Sequence, residues 1–340
     1  CPSPDGQPRA RRARRSCCME PAAMVHRRAL ALRAAAAMCR SAAVAPLAAP
    51  TARRRELVGR SGLGMSGLAL RPLCCGGPSA MAALPALRAR GLSTAVEDDV
   101  ASVPESLAAV RARVDAAVAQ RPAAAGSGPV RLVAVSKTKP AAAVAAAYAT
   151  GHRHFGENYV QEILTKCTEL PSDVQWHFIG HLQSNKARAL TKGVPSLACV
   201  ETVDSAKLAR LLNAGAAEAE RAVRLRVMVQ VNTSGEASKA GVAPSDCVAV
   251  CRAVAEECPA LELAGLMTIG APDYSGCRTE DFECLRRCRS EVAEALGVEI
   301  AALELSMGMS GDFERAILEG STSVRVGSSI FGARSYPAKA

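Results

Sequence analysis

The chain has 340 residues, 22% of them charged, with a formal net charge of +10 and a pI of about 9.1. The charge is uneven: residues 1–96 hold sixteen Arg, no Lys and three acids (Asp5, Glu20, Glu56), a formal +13, which leaves −3 for residues 97–340. That split removes the case for a nucleic-acid partner based on pI, and no apolar stretch after residue 96 approaches the ~20 residues of a membrane span.

Residues 1–96 are rich in Ala, Arg, Gly and Pro and show no sustained helical or strand period. They resemble an Arg-rich, acid-poor transit peptide, with Arg90-Gly91-Leu92-Ser93-Thr94 as a processing site. Because the chain begins at Cys1 and its first Met is Met19, mistranslated upstream sequence accounts for this segment equally well. Little fixed structure is expected there, and the compartment expected for the protein is cytoplasmic or mitochondrial.

Residues 97–340 read as one domain. Ser102-Val103-Pro104-Glu105 fits a capping box, and Leu107, Val110, Val114 and Val118 form one apolar stripe, so a helix precedes the first strand. Strands are predicted at 131–136, 152–156, 175–179, 197–200, 224–231, 263–268, 303–305 and 323–326. Helices are predicted near 141–148, 159–170, 184–190, 205–222, 245–257, 279–296 and 312–318. Eight strands, each followed by a helix or a helix start, predict a single (β/α)8 TIM-type barrel, an α/β fold. An open doubly wound sheet would more naturally carry a G-x-G-x-x-G turn after its first strand, and none is present. Of the fourteen cysteines, Cys247 with Cys251 and Cys284 with Cys288 sit at helical spacing. No C-x2-C knuckle occurs after residue 96, so reduced, semi-buried thiols are expected rather than a zinc site.

In such barrels the chemistry gathers at the C-terminal strand ends. These ends carry Lys137, Glu157-Asn158, His177 with Gly180-His181, Glu201-Thr202, Asn232-Thr233, Met267-Thr268, Ser306 to Ser310 and Arg325 to Ser328. An isolated lysine at a strand end is usually solvated. Alternation from Val133 and Val135 instead turns Lys137 inward, where apolar walls would lower its pKa and leave the amine nucleophilic. Lys139, beside Pro140, is expected to decorate the loop. Gly320-Ser321-Thr322-Ser323 and Gly327-Ser328-Ser329 are either phosphate sites or ordinary turns, and Ser306 to Ser310 belong to the same corner.

Arg325, flanked by Val324 and Val326, must find an acceptor: a buried ion pair, or the nitrogen of a bound aromatic ring. An arginine on a pyridine nitrogen keeps it unprotonated and weakens the ring as an electron sink. His177 and His181, on a strand followed by a turn, share no helical face, which argues against a metal. Asn158 and Asn232 position a ring or cap helices, and Tyr159 is expected to pack.

Val135 to Pro140, Phe155 to Glu162, Trp176 to Gln183, Gly265 to Gly270, Leu305 to Ser310 and Val324 to Gly332 closely resemble the pyridoxal phosphate homeostasis protein family. This family, the proline synthetase co-transcribed homologue, is related to the N-terminal barrel of alanine racemase, and the resemblance runs from about Leu107 to Ala333. It implies pyridoxal 5′-phosphate as cofactor, carried by Lys137 as a Schiff base, with Arg325 facing the pyridine nitrogen. It further implies Ser306, Gly327 and Ser328, with Ser310, at the phosphate and Asn158 beside the ring.

The family is thought to buffer or deliver the cofactor and to influence vitamin B6 pools, with apo pyridoxal-phosphate enzymes as partners and no established turnover. The alternatives are a weak pyridoxal-phosphate-dependent amino-acid racemase and a lysine-dependent aldolase without cofactor. Racemases of the related type add a β-domain and take a second base from a partner subunit. Here eight residues follow Gly332. A monomeric cofactor-binding protein without a catalytic residue is therefore expected.

Overall fold

The computed structural model describes residues 100–126, 128–236, 240–270 and 278–333, all within one of the chain's two units, Leu84–Ala340. The readings made for residues 1–96 lie outside the described residues.

Eight strands, β1 (Arg131–Val135), β2 (His154–Glu157), β3 (Gln175–Phe178), β4 (Leu197–Val203), β5 (Leu225–Gln230), β6 (Leu261–Met267), β7 (Glu304–Ser306) and β8 (Ser323–Val326), each pair in parallel with the next. β8 returns to β1, with Leu132 beside Val324 and Val133 beside Arg325, so the sheet closes into a barrel. This is the (β/α)8 TIM-type fold. Helix α1 (Val103–Gln120) precedes it. Helices α2 (Ala141–Ala149), α3 (Val160–Glu169), α4 (Ala187–Gly193), α5 (Ala206–Glu218), α6 (Cys247–Glu257), α7 (Thr279–Leu296), α8 (Phe313–Leu318) and α9 (Ser328–Phe331) each follow one strand.

Strand parity separates two environments. Outward residues such as Ala134, Phe155, Trp176, Val200, Leu266 and Val324 join the core beneath the helices. A smaller, separate cluster holds Cys199, Met228, Ala264 and Met267. Strands covered on both faces need apolar residues at nearly every position, which is why the runs read as continuous rather than alternating. α1 buries Val103, Leu107, Val110 and Val114 and packs on α2, α8 and α9, bracing the first βα unit against the last.

Boundaries moved by a few residues. β2 begins at His154, not 152, because the His152 ring is bonded to the His154 carbonyl at 2.8 Å. β4 runs on to Val203 across a register shift in its pairing with β5. The capping box at Ser102 does not form: Ser102 already has right-handed helical dihedrals, and a proline in the first turn opens the helix. Among the described residues the cysteines are free thiols.

Candidate functional site

A cavity of about 710 Å³ opens at the C-terminal ends of the strands. β1 ends at Val135, the turn Ser136-Lys137-Thr138 follows, and α2 begins after Pro140. Lys137 is half-buried on the cavity wall, on the inward side that alternation predicts. Lys139 departs from expectation: it is buried, lines the same cavity, and its Nζ donates to the Ala333 carbonyl at 2.9 Å. A long apolar stem with a reachable carbonyl explains why this lysine stays in rather than decorating the loop.

Arg325 reaches the cavity from β8 and is anchored below it. Its Nη1 donates to Ser306 Oγ at 2.6 Å and its Nη2 to the Thr268 carbonyl at 2.7 Å. Ser306 Oγ in turn donates to Glu201 Oε2 at 2.5 Å, and the other Glu201 oxygen accepts from His177 Nδ1 at 2.7 Å. His154 Nδ1 meets His177 Nε2 at 3.1 Å, extending the chain of contacts through the barrel. Burial pushes the Glu201 carboxyl up, but the His177 contact, the Arg325 charge and the Ser306 hydroxyl outweigh it and hold it down to about 2.

This network places Ser306 beneath Arg325. It is buried, off the cavity wall, with its one proton given to Glu201 and a lone pair to Arg325. There it supports the guanidinium. In the sequence Glu201 is one of two strand-end acids, with Glu157, and an acid inside the apolar run Leu197–Val203 is the signal that marks it. A ring nitrogen of His177, Cys199 Sγ and a Glu201 oxygen lie within 4.8 Å of one another, and His177 Nδ1 is already hydrogen-bonded to Glu201. His181 points elsewhere, exposed beside Asp204 at 3.5 Å.

At the β8 end, Gly327, Ser328 and Ser329 line the cavity together with Ser310 from the loop after β7. The Gly327 N–H donates to Ser310 Oγ at 3.1 Å, tying the two loops together. A Cβ on Gly327 would press on the Val135 carbonyl at 3.3 Å, so glycine lets this turn lie against β1. The other serine motif is turn chemistry: Ser321 Oγ is within reach of the Leu305, Met307 and Ser323 carbonyls at 3.3, 2.7 and 3.0 Å and is fully buried before β8.

Asn158, after β2, lines the cavity, and its buried Oδ1 has no protein partner among the described residues. A Cβ on Gly180 would overlap the Asn158 carbonyl, so this close approach depends on glycine. Asn232 does not join the site: its side chain bonds the Glu236 carbonyl at 2.8 Å and holds the loop after β5. Tyr159 is 56% exposed rather than packed, because α3 turns Ile163 and Lys166 inward instead.

The alanine racemase N-terminal domain model matches residues 106–335. A mouse protein named pyridoxal phosphate homeostasis protein is 49% identical over 241 residues, covering 69% of this chain and 88% of that one. A Pseudomonas aeruginosa protein of the same name is 44% identical over 248 residues, covering 71% of this chain and 100% of its own. Among solved structures, PipY of Synechococcus elongatus with PLP bound aligns at a TM-score of 0.53 and 36% identity, covering 68% of this chain and 100% of that one.

Proposed function

The chain belongs to the pyridoxal phosphate homeostasis protein family, with an alanine racemase N-terminal domain as its barrel, and we propose that it binds pyridoxal 5′-phosphate in this cavity, as a Schiff base on Lys137, and so buffers the free cofactor. One observation carries the reading: a primary amine, a guanidinium and a Gly-Ser-Ser turn line a single cavity. Its volume suits a small ligand. The unpartnered Asn158 Oδ1 is an acceptor suited to a ring hydroxyl, and the turn offers the backbone N–H groups and hydroxyls that an anion requires.

When bound, the cofactor supplies an aldehyde that condenses with a primary amine and a pyridine ring that withdraws electrons. Lys137 offers the amine from the end of a paired strand. Gly327, Ser328 and Ser310 would hold the phosphate end, and Asn158 would serve the ring. Arg325, fixed by Ser306 and Thr268, would offer the ring nitrogen a lasting cation and so deny it a proton. That arrangement favours holding the cofactor over turning it over. Apo pyridoxal-phosphate enzymes are the proposed recipients, and the proposed working form is a monomer, which light scattering would check. A cytoplasmic or mitochondrial location is proposed from the Arg-rich composition of residues 1–96.

The test is the visible spectrum of wild type and Lys137→Ala after addition of pyridoxal phosphate, before and after borohydride. Wild type is expected to gain a yellow band that borohydride removes, and the variant to lack it. Equal reducible bands in both proteins would overturn the role given to Lys137.

A further inference from the structure

Lys137 is gripped on both sides from outside the barrel wall. The residue before it, Ser136, donates from Oγ to Glu157 Oε1 at 2.7 Å, and its carbonyl accepts from Lys166 Nζ at 2.9 Å. The residue after it, Thr138, donates its backbone N–H to Glu162 Oε2 at 2.9 Å. Lys166 closes the set, reaching Glu157 at 2.6 Å and Glu162 at 3.0 Å. The Lys166 and Glu157 side chains are 7% and 0% exposed, so this ion cluster is sheltered from solvent, while Glu162 retains 29%.

The turn itself is strained. Thr138 has a φ of 62°, a left-handed conformation that a β-branched residue adopts only under constraint. Strand parity then sends Ser136 outward to the cluster and Lys137 inward to the cavity. The two neighbours of the lysine are thus tied to charges on β2 and α3, and the lysine sits between two fixed points.

Resting on the role proposed for Lys137, we propose that Glu157, Glu162 and Lys166 are positioning residues that fix the Ser136-Lys137-Thr138 turn and thereby aim the Lys137 amine into the cavity. Fixing an amine before its partner arrives removes an ordering cost from binding. The cluster touches no ligand and acts only through the turn. Thr138 contributes the bend, and Glu162 is the point where the bend is held.

The experiment uses the full chain and four variants: Glu162→Ala, Glu162→Gln, Lys166→Met and Thr138→Gly. Three readouts are pyridoxal phosphate affinity, thermal midpoint, and labelling of Lys137 relative to Lys139 by formaldehyde with cyanoborohydride, quantified by peptide mass spectrometry. Glu162→Ala is expected to weaken affinity about tenfold, the effect of leaving one part-buried N–H without its acceptor, and to raise Lys137 labelling. Glu162→Gln keeps an acceptor for Thr138 and should recover part of both effects. Thr138→Gly should raise the thermal midpoint by relieving strain while weakening affinity, an opposition that a merely structural role does not produce. Should Lys166→Met fail to fold, the partly exposed Glu162 site still decides the matter. Unchanged affinity and labelling in Glu162→Ala and Thr138→Gly would overturn the inference. Absence of the chromophore in wild type, with Lys137 labelling still altered in the variants, would overturn the proposed function and leave the positioning role standing.

Discussion

At the scale of single residues, charge and parity decide what each side chain does. Glu201 lies deep in the barrel yet holds a carboxylate because His177, Ser306 and Arg325 surround it. Replacing it by Gln keeps the shape and removes the charge that answers Arg325. Glu201→Gln is expected to lower unfolding free energy by about 2–3 kcal/mol in urea titrations, the range for breaking a buried charged network. It should also weaken pyridoxal phosphate binding more than phosphate binding, because Arg325 loses the countercharge behind its Ser306 anchor while the Gly327 turn is untouched. Equal losses for both ligands would show that Glu201 acts on the whole cavity rather than through Arg325.

The element scale is governed by close approach and closure. Gly180 after β3 leaves no room for a Cβ beside the Asn158 carbonyl. Gly180→Ala is therefore expected to push the β2 and β3 ends apart and to displace Asn158, lowering cofactor affinity at least as much as stability. Calorimetric titration alongside thermal melts would separate the two effects. α1 works differently, through apolar burial. Leu107 is 0% exposed in the seam between α1 and the helices it braces. Leu107→Ala should cost about 2–5 kcal/mol of unfolding free energy, and a loss under 1 kcal/mol would show that α1 is dispensable to barrel closure.

For the whole molecule, the buried ionisable groups predict how stability follows pH. Burial, with Arg111 beside it, lowers the His152 imidazole from 6.5 to about 4, and burial with His177 nearby lowers His154 from 6.5 to about 3. The Arg111 nitrogen at 3.0 Å from His152 Nδ1 fits a neutral ring that accepts there. An unfolded chain takes up protons on these rings below pH 6.5 while the folded one refuses them, so their contribution is complete above pH 6.5 and is lost as pH falls towards 3. Glu201 acts in the same direction lower down: its contribution is present above pH 4.5 and is lost as pH falls through about 2. Thermal midpoints should thus fall steadily from pH 6.5 downward, and His152→Gln should flatten the first part of that fall. A profile flat between pH 6.5 and 4 in wild type would contradict the neutral rings.

Much of this molecule is legible in its sequence, because the signals involved are local. Apolar runs near-continuous enough to be covered on both faces, separated by helical stripes and counted to eight, are enough for a closed parallel barrel. Lys137, Arg325 and the Gly-Ser-Ser turn stand at strand ends where a barrel gathers its chemistry. What the tertiary structure decided depends on residues far apart in the chain. Ser306 and Ser310 lie four apart in the chain, yet the first ends β7 and is buried under Arg325 while the second lies in the following loop at the cavity. The two serine motifs around β8 look alike, but only the one at its C-terminal end faces the site. Lys139 is buried because a carbonyl nearly two hundred residues away meets its amine. The ion cluster behind Lys137 joins β1, β2 and α3, and no spacing in the sequence announces it. Periodicity reports which face a residue presents; only closure of the barrel determines what that face meets.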